Sequence, residues 1–436
     1  MENKGLATAI RHIELADGIS DIHLEEKYSR LMAFITYRGV PLGDMSIKVR
    51  HHTIDSSYLA CEIANRFQYD TLRLWLQDQM KYQRSRIKTN HPSIDVTVCT
   101  CDRPDDLRRC LQSLAETSYP RKSVIVVDNG SESEKTLEVV QEYGARYVRE
   151  KKKGLDFARN AGLRTATAEI VAYTDDDVVV DGMWLQSIAQ AFQDDGAIAC
   201  VTGLTMPLEM ETEAQELFEK YSDGGMRRGY ERRVFNRFNL PPAAAGKVGA
   251  GANMAFRSVV LKQVGGFDEA LDCGTPAKAG GDTDMFYRLL RNGYKICYEP
   301  RAIAWHRHRR ELSELKSQLA GYSTAVYAFL LKCAIEYRDM EAISIGYAWF
   351  RNHHLKNLTN HLLGKGVMPW SLTRAEIAGI PRGLTAYWRA KSYVSEIRSR
   401  QGQERRGRSN AVRIAPQGFA GIALARLAGE SRRLNA

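Results

Sequence analysis

Between residues 93 and 308, short apolar runs of strand composition alternate with segments of helical period. The strand-like runs are DVTVCT, SVIVVD, ARYVRE, EIVAYT and AIACVTG, and amphipathic segments such as PDDLRRCLQSL and LDFARNAGLRTAT lie between them. Strands that alternate with helices of this length predict a doubly wound, mostly parallel sheet of the α/β class, with helices on both faces. Sheets of this kind bind ligands beyond the carboxyl ends of their strands.

The sequence on either side of this region has a different pattern. The first residues combine short alternating strands with a helical period from Tyr58 to Gln83, and the stretch SRIKTNHPS is a predicted linker. At 436 residues the chain exceeds the size of a single hydrophobic core. The predicted parts are an N-terminal α+β module (1–92), an α/β domain (93–310), a helical region (311–400) and a basic tail (401–436).

The composition is that of an ordinary soluble protein, with 44% apolar and 26% charged residues. The eight cysteines form no CxxC pair and several lie in apolar runs, so we expect reduced, buried thiols rather than disulfides or a zinc site. The first residues lack the apolar core of a signal peptide, and no uncharged stretch reaches the roughly 20 apolar residues that span a bilayer. These features favour a cytoplasmic location.

Most of the net charge of +10 lies at the C-terminal end of the chain. Residues 391–436 contain ten Lys or Arg and three Glu, and ten minus three gives +7. A basic segment is attracted to an anionic membrane surface, which predicts peripheral association with the inner face of the membrane; a solvated tail is the alternative. Nucleic acid is a weaker candidate, because Phe419 is the only aromatic residue of segment 401–436 that could stack on bases.

Three adjacent aspartates, Asp175, Asp176 and Asp177, follow the apolar run Ile170–Tyr173 and so lie at the carboxyl end of a buried strand. Their carboxylates repel one another and need a positive partner. Because alternate strand residues share a face, Asp175 and Asp177 are expected to point together, and two carboxylates suit Mg²⁺ or Mn²⁺ bound with substrate phosphates. A solvated acidic loop is the alternative.

Basic residues occur at the neighbouring strand ends, namely Arg103, Lys151, Lys152, Lys153 and Arg159. Basic groups and a metal around one crevice indicate a phosphorylated ligand. No GxGxxG follows the first strand and no GxxxxGK[ST] occurs, which argues against a dinucleotide cofactor and against a P-loop. A nucleoside diphosphate held by a metal is therefore expected.

In their order and spacing, several segments resemble glycosyltransferase family 2, the inverting enzymes of GT-A fold. These segments are VTVCTCDRPDDLRRCLQSL, VIVVDNGS, KGLDFARNAGL, YTDDDVVV, VGAGANMAFR, GGFDE and GGDTDMFYRLL, and together they cover about residues 93–308. The resemblance implies transfer of a sugar from a nucleotide donor, typically UDP-linked, with Mn²⁺ or Mg²⁺ as cofactor. The implied acceptor is a saccharide or lipid-linked hydroxyl in surface polysaccharide or glycolipid synthesis.

The resemblance also implies roles for residues at the first two strand ends. Thr100, Asp102 and Arg103 would line the nucleotide pocket, and Asp128 would accept a hydrogen bond from the base. For Asp128 there is also a purely structural interpretation, because Asp-Asn-Gly is a strong turn signal in any protein.

At the next strand ends, Gly154 and Arg159 would approach the ribose and the diphosphate. The run Asp175–Asp177 corresponds to the family's DxD element. Asp177 is the expected main metal ligand, together with Asp175. Asp175 and Asp176 are also expected to bind the donor, and Asp176 is the alternative main metal ligand.

Asp282 corresponds to the general base that takes the proton of the acceptor hydroxyl. The family usually has Glu-Asp there, and this chain has Gly281 before the aspartate. The alternative is that Asp282 and Asp284 are acidic residues at a helix N-terminus. His306 corresponds to a histidine that reaches the metal or the leaving diphosphate, and His308 is its competitor.

Two other functions are compatible with parts of the sequence. The run DDDVV satisfies the DxDx[TV] pattern of haloacid-dehalogenase-type phosphohydrolases, but that family carries its nucleophile on the first strand of the domain and three strands precede the run here. The missing glutamate before Asp282 would also fit a non-catalytic module that binds sugar nucleotides or polyanions.

Overall fold

The structure, a computed structural model, describes residues 7–49, 52–80, 91–221 and 226–404. Most of the predicted linker and the basic tail beyond residue 404 lie outside these ranges. Within them, no helix is both long enough and apolar enough to cross a membrane.

The N-terminal module is a small sheet covered by one long helix. Its elements are β1 Ala7–Glu14, β2 Ile22–His23, β3 Tyr28–Tyr37, β4 Val40–Lys48, β5 Thr53–Ile54 and α1 Ser56–Gln79. The sheet has the order β1-β3-β4, with β1 parallel and β4 antiparallel to β3. Leu59, Ile63 and Phe67, spaced by one helical turn, are buried beneath α1 in the core of the module.

The predicted alternation of strands and helices begins at residue 94. The strands are β6 Ile94–Thr100, β7 Lys122–Asp128, β8 Arg146–Arg149, β9 Ile170–Asp175, β10 Val178–Val180, β11 Ile198–Pro207, β12 Arg233–Phe235, β13 Asn253–Arg257 and β14 Lys295–His306. The helices are α2 Pro104–Glu116, α3 Lys135–Glu142, α4 Leu155–Thr165, α5 Trp184–Asp194, α6 Glu213–Lys220, α7 Ser258–Val264 and α8 Gly281–Arg291.

These nine strands form one sheet, in the order β10-β14-β11-β13-β9-β6-β7-β8, with β12 also paired to β14. The pairings show that β6, β7, β8, β9, β11 and β14 run in one direction, and that β10, β12 and β13 run opposite to them. Alternate residues of β7 enter two separate apolar clusters, so both faces of the sheet are covered. The predicted α/β class with a mostly parallel sheet is confirmed.

The region after β14 is helical, as its period predicts. It contains α9 Leu312–Glu336, α10 Glu341–Trp349, α11 Lys356–Leu362 and α12 Trp370–Glu404, with a π-helical segment, Phe350–Leu355, between α10 and α11. Helix α12 lies close to α9 at two glycines, Gly379 and Gly383. A Cβ atom on Gly383 would lie 2.6 Å from the Cβ of Tyr327, so only glycine permits this approach.

An apolar cluster joins the N-terminal module to the α/β sheet. Phe34 of β3 is fully buried in it, together with residues of β11 and β14, and its ring meets the Trp305 ring edge-on at 5.5 Å between centroids. We therefore expect the module to be part of the folded core rather than an independent appendage.

Phe34→Ala tests this packing. The substitution removes a buried aromatic ring and should lower the free energy of unfolding by about 3–5 kcal/mol. Phe238→Ala is the matched control, because Phe238 is 85% exposed and its loss should change stability little. Denaturant unfolding of both variants measures the difference, and equal midpoints would contradict the assignment.

Candidate functional site

The three aspartates lie beside the end of the first strand of the domain. Asp175 is the last residue of β9 and is in register with Cys99 of β6. The Thr100 hydroxyl donates a hydrogen bond to Asp176 Oδ2 at 2.8 Å. Arg103 Nη1 donates to Asp177 Oδ2 at 3.0 Å. Asp176 and Asp177 are both buried, so a solvated loop does not describe them.

His306 reaches the aspartates through the pairing of two strand ends. Strand β10 runs antiparallel to β14 with Val178 opposite His306. This register places His306 Nε2 3.3 Å from Asp177 Oδ1. Ligand atoms of Asp175, Asp177 and His306 all lie within 4.8 Å of one another. The structure therefore brings together the three residues predicted as metal ligands.

The tautomer of His306 follows from its hydrogen bonds. His308 Nε2 lies 2.8 Å from Glu219 Oε1, and His308 Nδ1 lies 3.2 Å from His306 Nδ1. Because the Glu219 carboxylate only accepts, a neutral His308 carries its proton on Nε2 and accepts through Nδ1 from His306. His306 Nε2 then has a lone pair that faces Asp177 Oδ1, an oxygen without a hydrogen-bond partner in the described chain. Two acceptors at this distance repel each other unless a cation lies between them.

Burial controls the ionisation of this cluster. It raises the pKa of Asp175 to about 6 and the pKa of Asp176 to about 7, although Arg159 and Arg103 act in the opposite direction. Burial lowers the pKa of His306 to about 4, so its imidazole is neutral at pH 7. A divalent cation here would favour the ionised carboxylates, because opposite charge lowers a carboxyl pKa.

Arg159 is a buried cation between two groups of carboxylates. Its Nη1 donates to Asp156 Oδ1 at 3.1 Å, and its Nη2 lies 3.9 Å from Asp175 Oδ1. The guanidinium also packs over the Phe267 ring, 5.5 Å from the centroid. Arg159 is thus an interior residue and not a surface residue of α4.

Asp282 lies in the first turn of α8 and faces the same cluster. Its Oδ2 accepts a hydrogen bond from the Gly251 amide at 2.8 Å. A Cβ atom on Gly251 would lie 2.6 Å from Arg159 Nη2 and 3.0 Å from Asp282 Oδ2, so both side chains flank this glycine. Asp284, in contrast, is fully buried and pairs with Lys332 at 2.5 Å, which ties α8 to α9.

The side chain of Asp156 occupies the space beside Gly281. A Cβ atom on Gly281 would lie within 2.7 Å of both carboxylate oxygens of Asp156. The space beside position 281 is therefore filled by an acidic side chain from α4. Asp156 Oδ2 is buried without a hydrogen-bond partner in the described chain, and burial, with the nearby Asp272, raises the pKa of Asp156 well above its usual value. Sequence reasoning missed Asp156, although it lies within the quoted segment KGLDFARNAGL.

Gly154 contacts another part of the chain at the start of α4. Its φ is +143°, and a Cβ atom there would lie 2.5 Å from Asp272 Oδ2. The Asp272 carboxylate accepts from the Leu155 and Asp156 amides at 2.8 Å each. The amides expected near a diphosphate are thus bound to an internal carboxylate in this structure, and the predicted role of Gly154 stays a prediction.

Asp128 and Asp102 both make turn contacts. Asp128 is 1% exposed and accepts hydrogen bonds from the Ser131 amide at 2.7 Å and the Tyr147 hydroxyl at 2.6 Å. Asp102 has a φ of +53° and accepts from the Glu132 amide at 2.8 Å. These contacts are those of structured turns, so recognition of the base by Asp128 stays a prediction.

One arginine after β14 is placed to bind an anion. Arg307 pairs with Asp106, and Arg310 pairs with Glu209. Arg309 has neither a hydrogen bond nor an ion pair with any residue that the structure describes. Burial acts to raise the pKa of Asp177, but His306, Arg103 and Arg309 together hold it below its usual value. Arg309 is therefore a cation beside the cluster that remains available to a ligand.

Comparison with known proteins gives a family match over the α/β domain. Residues 95–258 match the family described as glycosyl transferase family 2. The pre-mycofactocin glycosyltransferase of Mycobacterium tuberculosis is 29% identical over 257 residues, which cover 57% of this chain and 50% of that protein. The succinoglycan biosynthesis protein ExoM of Rhizobium meliloti is 30% identical over 225 residues, which cover 48% of this chain and 65% of that protein.

This chain spans about half the length of the first of these relatives. Among solved structures, the mannosyltransferase PcManGT from Pyrobaculum calidifontis in complex with GDP-Man and Mn²⁺ aligns with a TM-score of 0.42 and 16% identity, over 86% of this chain and 90% of that chain. The resemblance to glycosyltransferase family 2 is confirmed by the family and sequence matches.

Gly281→Ala tests the contact between position 281 and Asp156. The new methyl group must displace a buried side chain that is bonded to Arg159, so we expect a loss of about 1–3 kcal/mol in the free energy of unfolding. Asp156→Ala in the same chain should remove this penalty, which a double-mutant cycle measures as a coupling energy. Gly182→Ala is the control, since a Cβ atom there has no neighbour within 4 Å. Additive effects of the two substitutions would contradict the contact.

Proposed function

We propose that this chain, which carries a glycosyltransferase family 2 domain at residues 95–258, is a metal-dependent inverting glycosyltransferase. The donor is a nucleotide sugar, with UDP as the first candidate nucleotide. The acceptor is a hydroxyl of a saccharide or of a lipid-linked sugar. Surface polysaccharide or glycolipid synthesis at the inner face of the membrane is the proposed setting.

The observation that carries this proposal is the facing pair Asp177 Oδ1 and His306 Nε2. With both histidines neutral the two atoms are acceptors; they lie 3.3 Å apart, and the carboxylate oxygen has no hydrogen-bond partner among the described residues. A divalent cation held by these atoms and by Asp175 satisfies the unpaired oxygen, so the residues fit Mn²⁺ or Mg²⁺. When bound, such an ion stabilises the negative charge that develops on the leaving diphosphate.

The cationic side chains of the site complement this charge. Arg309 is free to bind the diphosphate directly, whereas Arg103 is shared between Asp176 and Asp177. In a charged, partly buried cleft, such hydrogen bonds are stronger than those between neutral groups. We propose that Arg309 contacts the diphosphate and that Arg103 orients the carboxylates and reaches the same ligand.

Asp282 is the proposed general base. Its carboxylate is oriented by the Gly251 amide and by the amide of the next residue at 2.7 Å. Arg159 Nη2 lies 3.9 Å from Asp175 Oδ1, and Arg159 and Asp282 both flank Gly251, so one guanidinium neighbours both the base and a metal ligand. This arrangement supports removal of the acceptor proton by Asp282 while the acceptor oxygen attacks the anomeric carbon from the face opposite the diphosphate, which inverts the configuration.

The two alternative functions have less support. Asp175 ends β9, the fourth strand of the domain in chain order, whereas a phosphohydrolase of the haloacid dehalogenase type requires its nucleophile on the first strand. Position 281 lacks the glutamate, but Asp156 places an acidic side chain beside it. The missing glutamate is therefore weak support for a non-catalytic module. Neither alternative is favoured by the family match.

Asp177→Asn tests the metal site. The change keeps the size of the side chain but removes its charge, so Mn²⁺-dependent binding of the donor should be lost and turnover should fall by at least about 10²-fold. Asp105→Asn is the matched control, because the Asp105 side chain is 92% exposed. Calorimetric titration with UDP, GDP and dTDP sugars measures donor binding and identifies the nucleobase that the site prefers. Unchanged turnover of the variant, or full activity of the wild type in excess EDTA, would refute metal dependence.

Asp282→Asn separates binding from chemistry. The variant should bind Mn²⁺ and donor as the wild type does, whereas the rate of transfer should fall by about 10²- to 10⁴-fold, because a general base is lost. Donor affinity and the single-turnover rate are the two measurements. Parallel loss of both would assign Asp282 to binding, and retention of the anomeric configuration in the wild-type product would exclude the proposed role.

A further inference from the structure

A second cluster of potential metal ligands lies in the C-terminal helices, outside the α/β domain. The π-helical segment Phe350–Leu355 carries two adjacent histidines, His353 and His354, and α12 carries Glu376. Ligand atoms of these three residues all lie within 4.8 Å of one another. Wide π-helical turns inside helices occur frequently at functional sites.

Glu376 is a buried carboxylate with little positive charge around it. It is 3% exposed, and its Oε1 accepts from the Tyr221 hydroxyl and faces His353 Nε2, both at 2.6 Å. Within the described residues, His353 is its only ion-pair partner, and no Lys or Arg lies within 4.0 Å. Burial of an ionised carboxylate without a full opposite charge is costly.

His354 presents a second unsatisfied group at the same place. It is 2% exposed, and neither ring nitrogen has a hydrogen-bond partner among the described residues. Aromatic rings surround it, with Trp349 edge-on at 4.6 Å and Tyr327 stacked at 5.9 Å between centroids. A histidine that only filled an apolar space would be replaced at lower cost by an apolar residue, since a buried polar group without a partner is destabilising. The imidazole therefore requires a partner that the described residues do not supply.

We propose that His353, His354 and Glu376 bind a zinc ion. Two imidazoles and one carboxylate form a donor set typical of Zn²⁺, whereas Mg²⁺ and Ca²⁺ prefer oxygen alone. At bond lengths of about 2.0–2.2 Å, two ligand atoms of one ion lie no more than about 4.4 Å apart, so small side-chain rotations suffice to close the site. The ion supplies the charge that Glu376 lacks and the partner that His354 lacks.

This ion would connect three parts of the chain. The π-helical segment and α12 provide the ligands, and Tyr221, at the end of α6, donates a hydrogen bond to the ligand Glu376. Tyr221 follows Glu219, whose carboxylate supports His308 in the glycosyltransferase site. The zinc site is thus a structural clamp that holds the C-terminal helices against the end of α6, separate from the ion proposed at Asp177.

The test uses the full chain, stripped of metals with a chelator and titrated with Zn²⁺ alone. We expect one tightly bound zinc per chain by elemental analysis and a higher melting temperature on its addition. Co²⁺ in its place should give the visible absorption of a site with nitrogen and oxygen ligands. Two variants address the ligands: His354→Phe preserves the shape of the aromatic surroundings, and Glu376→Gln preserves the hydrogen bonds from Tyr221 and His353.

Each variant should weaken zinc binding by at least about tenfold, since even the loss of a group that only supports a ligand has an effect of this size. Two controls should retain the zinc: His361→Phe, a matched histidine in α11, and Asp177→Asn, which disables the other proposed site. The proposal is overturned if the wild type takes up no zinc, if His354→Phe and Glu376→Gln keep wild-type affinity, or if Asp177→Asn abolishes uptake. If one variant does not fold, the other variant and the cobalt spectrum of the wild type still test the proposal.

Discussion

The candidate site depends on the antiparallel pairing of two short strand ends, β10 and the last three residues of β14. Asp177 and His306 are 129 positions apart in the chain. Only the register Val178 opposite His306 places the imidazole at the carboxylate. Because side chains of a strand alternate between faces, a shift of one residue would turn His306 away and bring Trp305 or Arg307 to its position. The remaining geometry of the site is arranged around this contact.

Charge compensation is the second requirement of the site. Asp156, Asp175 and Asp282 surround a single buried guanidinium, that of Arg159, and burial disfavours ionisation of Asp156 and Asp175. A divalent ion held at this cluster, as proposed above, would need no further negative charge, because the carboxylates outnumber the cations. The same reasoning explains Gly281, because the space beside it is already filled by an acidic side chain.

The sequence predicted the fold better than the contacts of the site. Strands such as DVTVCT and SVIVVD were recognisable because both faces of the sheet are covered, which makes their residues continuously apolar. Strand β1 was not predicted, since ATAIRHIE includes Arg11, His12 and Glu14 and lies at the edge of a small sheet. The reversal of β13 within the parallel run was also not predicted, because a strand of five residues carries no signal of its direction.

Within the site, predictions from the resemblance placed Asp175, Asp177 and His306 in one cluster, which the structure brings together. Contacts that depend on tertiary packing could not be predicted from the sequence. Examples are the position of Asp156 beside Gly281 and that of the Asp272 carboxylate at the start of α4. Neither contact has a periodicity or spacing signature, because the two partners belong to segments that meet only after the sheet has formed.

The N-terminal module contributes to the site through a chain of polar contacts. Asp44 of β4 accepts from Arg227 Nη1 at 2.8 Å, and Arg227 Nη2 donates to Glu219 Oε2 at 2.9 Å. The other oxygen of Glu219 holds His308, which in turn fixes the tautomer of His306.

Charge-assisted hydrogen bonds of this kind orient a metal-ligating histidine and set its basicity. Arg227 is largely buried, with its side chain 16% exposed, so loss of Asp44 would remove one of its carboxylate partners and strengthen its pull on Glu219, away from His308. The module therefore supports the histidine pair, in addition to the apolar packing at Phe34. Its contacts with β14 and with the segment after α6 explain why it lies against the α/β domain.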